Sequence, residues 1–210
     1  MEVDLCFVID CTGSMGGHIE AAKSCILKVA RHMENMKPSV KIRFGFCGYH
    51  DYCDGDNRLQ KFPFTDSYTH FERDLSSVQA TGGGDAHEDV LSGLNEAITQ
   101  MFWRNDIRII FHIGDCPPHG LRYKNIGDDY PNGDPNGLIA KGVLGEMKSK
   151  RIFYFFGRIL SLTDEMINIF CDIIGEFLVY DLKSVNPEAL VNKFFEATCS
   201  AIETAISLME

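Results

Sequence analysis

Two short apolar runs, each leading to an aspartate, constrain the fold of this chain most strongly. Residues 5–9 run directly into Asp10, and residues 107–113 are followed by Gly114 and Asp115. Runs of this length, rich in branched and aromatic side chains and stopped by glycine-containing turns, are typical of strands buried on both faces. We therefore expect each aspartate to lie at the carboxyl end of a central strand, where open α/β sheets bind ligands.

Helix and strand patterns alternate along the rest of the chain. Apolar residues recur at helical spacing between Ser14 and Pro38, residues 40–49 alternate as a strand, and the proline in residues 61–64 allows at most an edge strand. Further helices are predicted for residues 66–78, 90–101, 138–150, 163–174 (with Thr163 as cap) and 187–206 (with Asn186 as cap), and further strands for residues 151–157 and 176–181. This order predicts an α/β fold: a doubly wound, mostly parallel, Rossmann-like sheet with helices on both faces.

Length and charge exclude several classes of protein. The 210 residues are 45% hydrophobic, which predicts one domain over residues 1–210 with a full core. A net charge of −10 argues against nucleic-acid partners and against an anionic membrane surface. Apolar runs stay well short of the roughly 18 residues that a membrane span needs. The eight cysteines form no disulfide framework and lie mostly in apolar segments, so we expect a cytoplasmic protein with reduced, buried thiols.

The first aspartate belongs to a group of oxygen-bearing side chains. Asp10, Thr12 and Ser14 place one carboxylate and two hydroxyls within five residues of the predicted β–α loop. Such a hard, all-oxygen set suits Mg²⁺, Mn²⁺ or Ca²⁺ and is ill suited to zinc. Taken singly, Asp10 or Asp115 is equally well explained as an ordinary turn residue.

A glycine-rich turn supplies a third segment. Residues 81–85 (Thr-Gly-Gly-Gly-Asp) end at Asp85, and glycines allow close backbone approach. Because the first and fourth strands of a doubly wound sheet are neighbours, the segments carrying Asp10, Asp85 and Asp115 should meet at one edge. The sequence therefore predicts one water-rich, octahedral cation site there.

Several motifs together resemble the von Willebrand factor A domain and its metal-ion-dependent adhesion site. The resemblance covers nearly the whole chain and is most similar to the intracellular A domains attached to alpha-kinases and to their stand-alone relatives. The motifs that carry it are residues 10–15, 42–45, 81–85, 115–120 and 130–133. It implies a cation-dependent protein–protein interaction module without enzymatic activity, and no kinase catalytic domain fits within this chain.

The resemblance also implies a role for each site residue. Asp10 and Asp115 would hold metal-bound waters, Thr12 and Ser14 would be hydroxyl ligands, and the cation, Mg²⁺ for preference, would keep one position open for a partner's acidic side chain. The family usually has a threonine where this chain has Asp85. We therefore expect Asp85 to act through water, or the site to favour a neutral or weakly acidic partner. The residues expected to contact that partner are Gly83, Gly84, His87, Cys116 and His119.

Two alternatives stay open. One is a metal-dependent hydrolase or phosphotransferase on a doubly wound fold, which is weaker because no nucleophile and base form a recognisable pair. The other is a targeting or regulatory domain of an alpha-kinase-type protein with a weak or vestigial metal site.

Other candidate metal sites in the sequence are weaker. Residues 87, 116 and 119 fit no common zinc spacing. The acidic groups at 51, 54 and 56 and at 128, 129 and 134 are predicted to be solvated turns.

Overall fold

The computed structural model describes residues 1–210, which form one six-stranded sheet between two layers of helices. In chain order the elements are β1 Glu2–Asp10, α1 Gly16–Met36, β2 Lys41–Tyr49, β3 Leu59–Thr65, α2 Tyr68–Ser76, α3 Val90–Gln100, β4 Ile107–Gly114, α4 Ala140–Ser149, β5 Ile152–Arg158, α5 Asp164–Ile174, β6 Val179–Asp181 and α6 Pro187–Ser207. The strand order is β3-β2-β1-β4-β5-β6. Only the β2–β3 pair is antiparallel, so the predicted doubly wound, mostly parallel sheet is confirmed.

β1 lies at the centre of the sheet, between β2 and β4. Its register with β4 runs from Val3 opposite Ile107 to Ile9 opposite Ile113. Parallel strands in this register end together, so Asp10 and Asp115 leave the sheet at the same edge. The chain winds outward in both directions from β1 and β4, which makes this edge the switch point where such sheets bind ligands.

Each face of the sheet has its own apolar core. Alternate residues of β1, among them Leu5 and Phe7, pack with α1, α2 and α6, whereas Cys6 and Val8 pack with α3, α4 and α5. Burial on both faces explains why residues 5–9 of β1 are continuously apolar and why β4 is mostly apolar, rather than alternating.

Most predicted elements are confirmed, with two differences in detail. Asn186 caps α6 by accepting the Ala189 N–H at 3.0 Å. Thr163 precedes α5 but makes no side-chain cap, because its hydroxyl donates to Leu160 O at 2.9 Å. The final strand is also shorter than predicted. It begins at Val179.

The predicted environment of the thiols is also largely confirmed. Cys6, Cys25, Cys47 and Cys199 are buried, and Cys171 is partly exposed. Helices long and apolar enough to cross a bilayer are absent from the structure.

Candidate metal centre

The carboxyl end of β1 holds a buried aspartate that is only half satisfied. Asp10 Oδ1 accepts the Thr12 N–H at 2.9 Å and the Thr12 hydroxyl at 2.6 Å. Its other oxygen, Oδ2, is buried without a hydrogen-bond partner. Thr12 is also buried, whereas Ser14 is exposed to solvent. Because the Thr12 hydroxyl gives its proton to Asp10, its lone pairs remain available to a cation.

The glycine turn is held against this loop by its backbone. Thr81 N–H donates to Cys11 O at 2.9 Å, and Gly13 N–H donates to Gly82 O at 3.2 Å. Gly82 and Gly83 have φ angles of 74° and 90°, which only glycine adopts without strain. The turn therefore approaches the end of β1 closely, as predicted.

Two further buried carboxylates come from the segments before α3 and after β4. Asp115 is 4% exposed and its Oδ1 has no partner; Glu88 is 3% exposed and its Oε2 has none. The backbone joins these segments, because Glu88 N–H donates to Pro117 O at 3.0 Å. Sequence reasoning missed Glu88, whose place directly before an apolar helix is typical of ordinary helix starts.

The charges of these carboxylates act on one another. Burial and the neighbouring Asp115 raise the pKa of Asp10 to about 8, although the Thr12 hydrogen bonds oppose the shift. Burial, with the charges of Asp10 and Asp51, raises the pKa of Glu88 to about 10. Buried polar atoms normally have partners, and three unpartnered carboxylate oxygens gathered at one edge fit a hard cation held by oxygen ligands.

Asp85 is engaged elsewhere. Its Oδ1 accepts the His87 N–H at 2.6 Å and its Oδ2 accepts the Asp129 N–H at 2.7 Å. One oxygen therefore holds the local turn at His87 and the other holds the long loop of residues 122–137, and the geometry does not favour Asp85 as a ligand beside Asp10. Asp85, His87 and Asp128 instead form their own group, with potential ligand atoms within 4.8 Å of one another.

The two histidines that were predicted to contact the partner are buried. His87 is 0% exposed, and its Nε2 lies 3.0 Å from Lys124 O. His119 is 3% exposed. Gly83, Gly84 and Cys116 do reach solvent, the glycines fully and the thiol in part.

His119 lies between two aspartates that were predicted to be solvated. Its Nε2 is 2.8 Å from Asp51 Oδ1 and its Nδ1 is 2.7 Å from Asp128 Oδ1. Both carboxylates are buried, because the loop that carries Asp128 folds against His119 and Asp51. The solvated-turn prediction is wrong for these two. Burial opposes protonation of His119, but the two hydrogen bonds and charges outweigh it and raise its pKa to about 9.

Known proteins resemble this chain in sequence and in fold. The family profile of the von Willebrand factor A domain matches residues 4–125. The alpha-protein kinase vwkA of Dictyostelium discoideum is 39% identical over 210 residues, covering 98% of this chain and 33% of that protein. The chain thus spans about a third of that curated relative.

Two solved structures share the fold at 14% identity each. Proximal thread matrix protein 1 from the mussel byssus has a TM-score of 0.64, and the match covers 95% of this chain and 46% of that protein's chain. The pilus adhesin SpaC of Lactobacillus rhamnosus GG has a TM-score of 0.60, with 95% and 30% covered. At this identity the likeness shows the fold alone. The profile match over more than half of the chain, on a sheet of this topology, establishes that the chain belongs to the von Willebrand factor A domain family.

Proposed function

We propose that this domain binds a divalent cation at the carboxyl edge of its sheet and uses the cation to bind another protein. Mg²⁺ is the expected ion, with Mn²⁺ or Ca²⁺ as alternatives. The observation that carries the proposal is the pair of buried, unpartnered oxygens on Asp10 and Asp115, which leave neighbouring strands at the same edge. Von Willebrand A domains are protein-interaction modules, which agrees with this use of the site.

The proposed ligands are Asp10, Thr12, Ser14 and Asp115. A cation held there would supply a positive charge with an open position for an acidic side chain of the partner. Ser14 is the exposed member of the set, so the partner would approach from its side, across the exposed backbone of Gly83 and Gly84. Asp85 is left out of the ligand set because both of its oxygens accept backbone hydrogen bonds.

A cysteine nucleophile at this site is disfavoured by the chemistry of the thiol that follows Asp115. Burial and the charges of Asp115 and Asp10 raise the pKa of Cys116 well above its ordinary range. A nucleophilic cysteine needs the opposite shift. The kinase activity in the relative's name belongs to a protein of which this chain spans 33%, so it is not transferred here.

The proposal predicts that Mg²⁺ stabilises the wild-type domain by mass action. At a Mg²⁺ concentration of about 100 times Kd the gain is about 2.7 kcal/mol, which raises the melting temperature of a domain this size by roughly 5–10 °C. Asp10→Asn keeps the acceptor for Thr12 but removes the charge, and should abolish the increment. Asp106→Asn is the matched control, because Asp106 is exposed at the opposite end of β4.

Partner binding is tested with the same three proteins immobilised and exposed to lysate in Mg²⁺ or in EDTA. We expect wild type and Asp106→Asn to retain partner proteins in Mg²⁺ and to release them in EDTA. Equal retention by Asp10→Asn, or retention that EDTA does not reduce, would show that binding bypasses the cation.

A further inference from the structure

We infer that Glu88 is the third carboxylate of the cation centre and lies in the place that sequence comparison gives to Asp85. The inference rests on the proposed cation site and concerns which residues build it. Three observations carry it: the burial of Glu88, its unpartnered oxygen, and the contacts that place it between the segment after Asp115 and the Thr12 loop.

Glu88 is held in place from two sides. On one side its N–H donates to Pro117 O at 3.0 Å, within the segment that begins at Asp115, and a parallel bridge joins it to Pro118. On the other side is the glycine turn. A Cβ built on Gly83 would lie 3.3 Å from both Glu88 Oε1 and Thr12 Cβ, so this glycine fits between the glutamate and the Thr12 ligand.

The polar contacts of Glu88 leave one oxygen without a hydrogen bond. Its Oε2 is buried and unpartnered, as are Asp10 Oδ2 and Asp115 Oδ1. Asp89 also has a buried oxygen without a partner, Oδ1, but its other oxygen pairs with Arg58 at 2.9 Å, as expected of a structural carboxylate. Glu88 has the charges of Asp10, Asp51 and Asp115 around it. This environment is unfavourable for a structural glutamate and suited to a cation ligand, direct or through water.

A third carboxylate changes what the centre can do. With Asp10 and Asp115 alone, a divalent ion would be formally neutralised; with Glu88 it would carry a net negative charge. The cation is then held more tightly, and its attraction for a partner's carboxylate is weaker. Glu88 would therefore compete with a partner's carboxylate for the cation.

The test compares wild type, Glu88→Gln, Asp85→Asn and Asp10→Asn, using Mg²⁺ and Tb³⁺ as probes. Tb³⁺ luminescence reports binding directly through sensitisation by Tyr49, a buried side chain on which the charges of Asp10 and Glu88 act. We expect Glu88→Gln to raise the dissociation constant of either cation by about tenfold or more, and Asp85→Asn to change it by less than about twofold.

Melting temperatures in EDTA provide a second readout that needs no cation. Glu88→Gln should raise the metal-free melting temperature, because a costly buried acid is removed, while reducing the increment that Mg²⁺ adds. A merely structural glutamate would not move the two values in opposite directions. If Glu88→Gln folds poorly, Glu88→Asp keeps the charge on a shorter arm and should show an intermediate cation affinity.

The outcomes separate this inference from the proposed function. Wild-type cation affinity in Glu88→Gln, or a loss in Asp85→Asn as large as in Glu88→Gln, would overturn the role of Glu88 while the cation site stands. If wild type binds neither cation, the proposed function fails. The metal-free melting temperature then still decides whether the Glu88 carboxylate lies close to that of Asp10. If Glu88→Gln does not raise this temperature, the two carboxylates are not close.

Discussion

Asp4 and Asp10 lie on the same strand, both fully buried, yet their hydrogen bonds differ completely. Asp4 accepts two bonds from the Arg43 guanidinium, at 2.8 Å each, and three more from Arg104 and Asn105. Both carboxylate oxygens of Asp4 accept hydrogen bonds, so its role is structural. Asp10 keeps Oδ2 free at the ligand-binding edge. At the scale of the residue, an unsatisfied oxygen on a carboxylate without a basic partner distinguishes the candidate ligand Asp10 from the structural Asp4.

His119 permits a prediction about pH. Its pKa is raised from 6.5 to about 9, so its extra stabilisation is fully present below pH 6.5 and is lost as pH rises through 9. The pKa values of Asp51 and Asp128 are lowered, so their contribution is present above their ordinary pKa and lost in acid. In EDTA near pH 6, His119→Gln should lower the free energy of unfolding by about 3 kcal/mol at most.

Urea unfolding of wild type and His119→Gln from about pH 6 to pH 10 would measure this difference. It should shrink as pH rises, and titration of Asp10 or Glu88 cancels because both proteins contain them. His70→Gln is the control: its bond to Asp74 is exposed, so the expected change is below about 1 kcal/mol. A His119→Gln difference that stays constant with pH would mean that His119 is not charged in the folded protein.

At the scale of the element, aspartates fold the loop of residues 122–137 against the site. Asp128 accepts the Gly120 and Tyr130 N–H groups at 2.6 and 2.8 Å in addition to its bond with His119. Asp134 accepts the Leu138 N–H at 2.8 Å and the Tyr52 hydroxyl. This loop therefore gets its order from side chains that accept backbone hydrogen bonds rather than from secondary structure.

Tyr52→Phe should loosen that loop. The substitution removes the hydroxyl that donates to Asp134, accepts from Asn136 Nδ2 at 3.3 Å and lies 3.2 Å from Ser92 Oγ. Loss of one such bond costs about 1–2 kcal/mol. Hydrogen exchange should become faster across residues 122–137 and stay unchanged in β1 and β4.

Tyr130→Phe is the matched control. It also removes a tyrosine hydroxyl, but this one lies within the loop itself and has no hydrogen-bond partner in the structure. Exchange in Tyr130→Phe should match wild type. Equal acceleration in both variants would show that the Tyr52–Asp134 bond does not hold the loop.

At the scale of the whole molecule, the layers approach closely where glycines face the sheet. A Cβ on Gly93 of α3 would lie 2.5 Å from Tyr49 Cδ1 of β2. Tyr49 is buried and cannot retreat, since its hydroxyl bonds His112 Nε2 at 2.8 Å within the sheet. The position of α3, and of the Glu88 segment before it, therefore depends on this glycine.

Gly93→Ala should destabilise the domain by about 1–3 kcal/mol through overpacking. Gly145→Ala, on the exposed face of α4, meets no atom within 4 Å and should instead gain up to about 1 kcal/mol from helix propensity. Denaturant unfolding of both variants checks the pair. A Gly93→Ala protein as stable as Gly145→Ala would mean that α3 can move away from the sheet at little cost.

The sequence by itself determined the sheet and the ends of its central strands. The apolar runs that end near Asp10 and Asp115 reflect burial on both faces. The residue types along each strand record this property directly. The turn glycines were also predictable, because close approach and left-handed φ angles exclude other residues.

Only the tertiary structure decided which acidic side chains lose water. Asp51 and Asp128 resemble solvated turn residues in sequence, and their burial depends on His119 bringing these two remote segments together. Asp85 and Glu88 are close neighbours in one segment, yet backbone N–H groups engage the first and leave an oxygen of the second unpartnered. Desolvation and hydrogen-bond partnership depend on atoms brought together from remote segments, so a pattern of residue types does not record them.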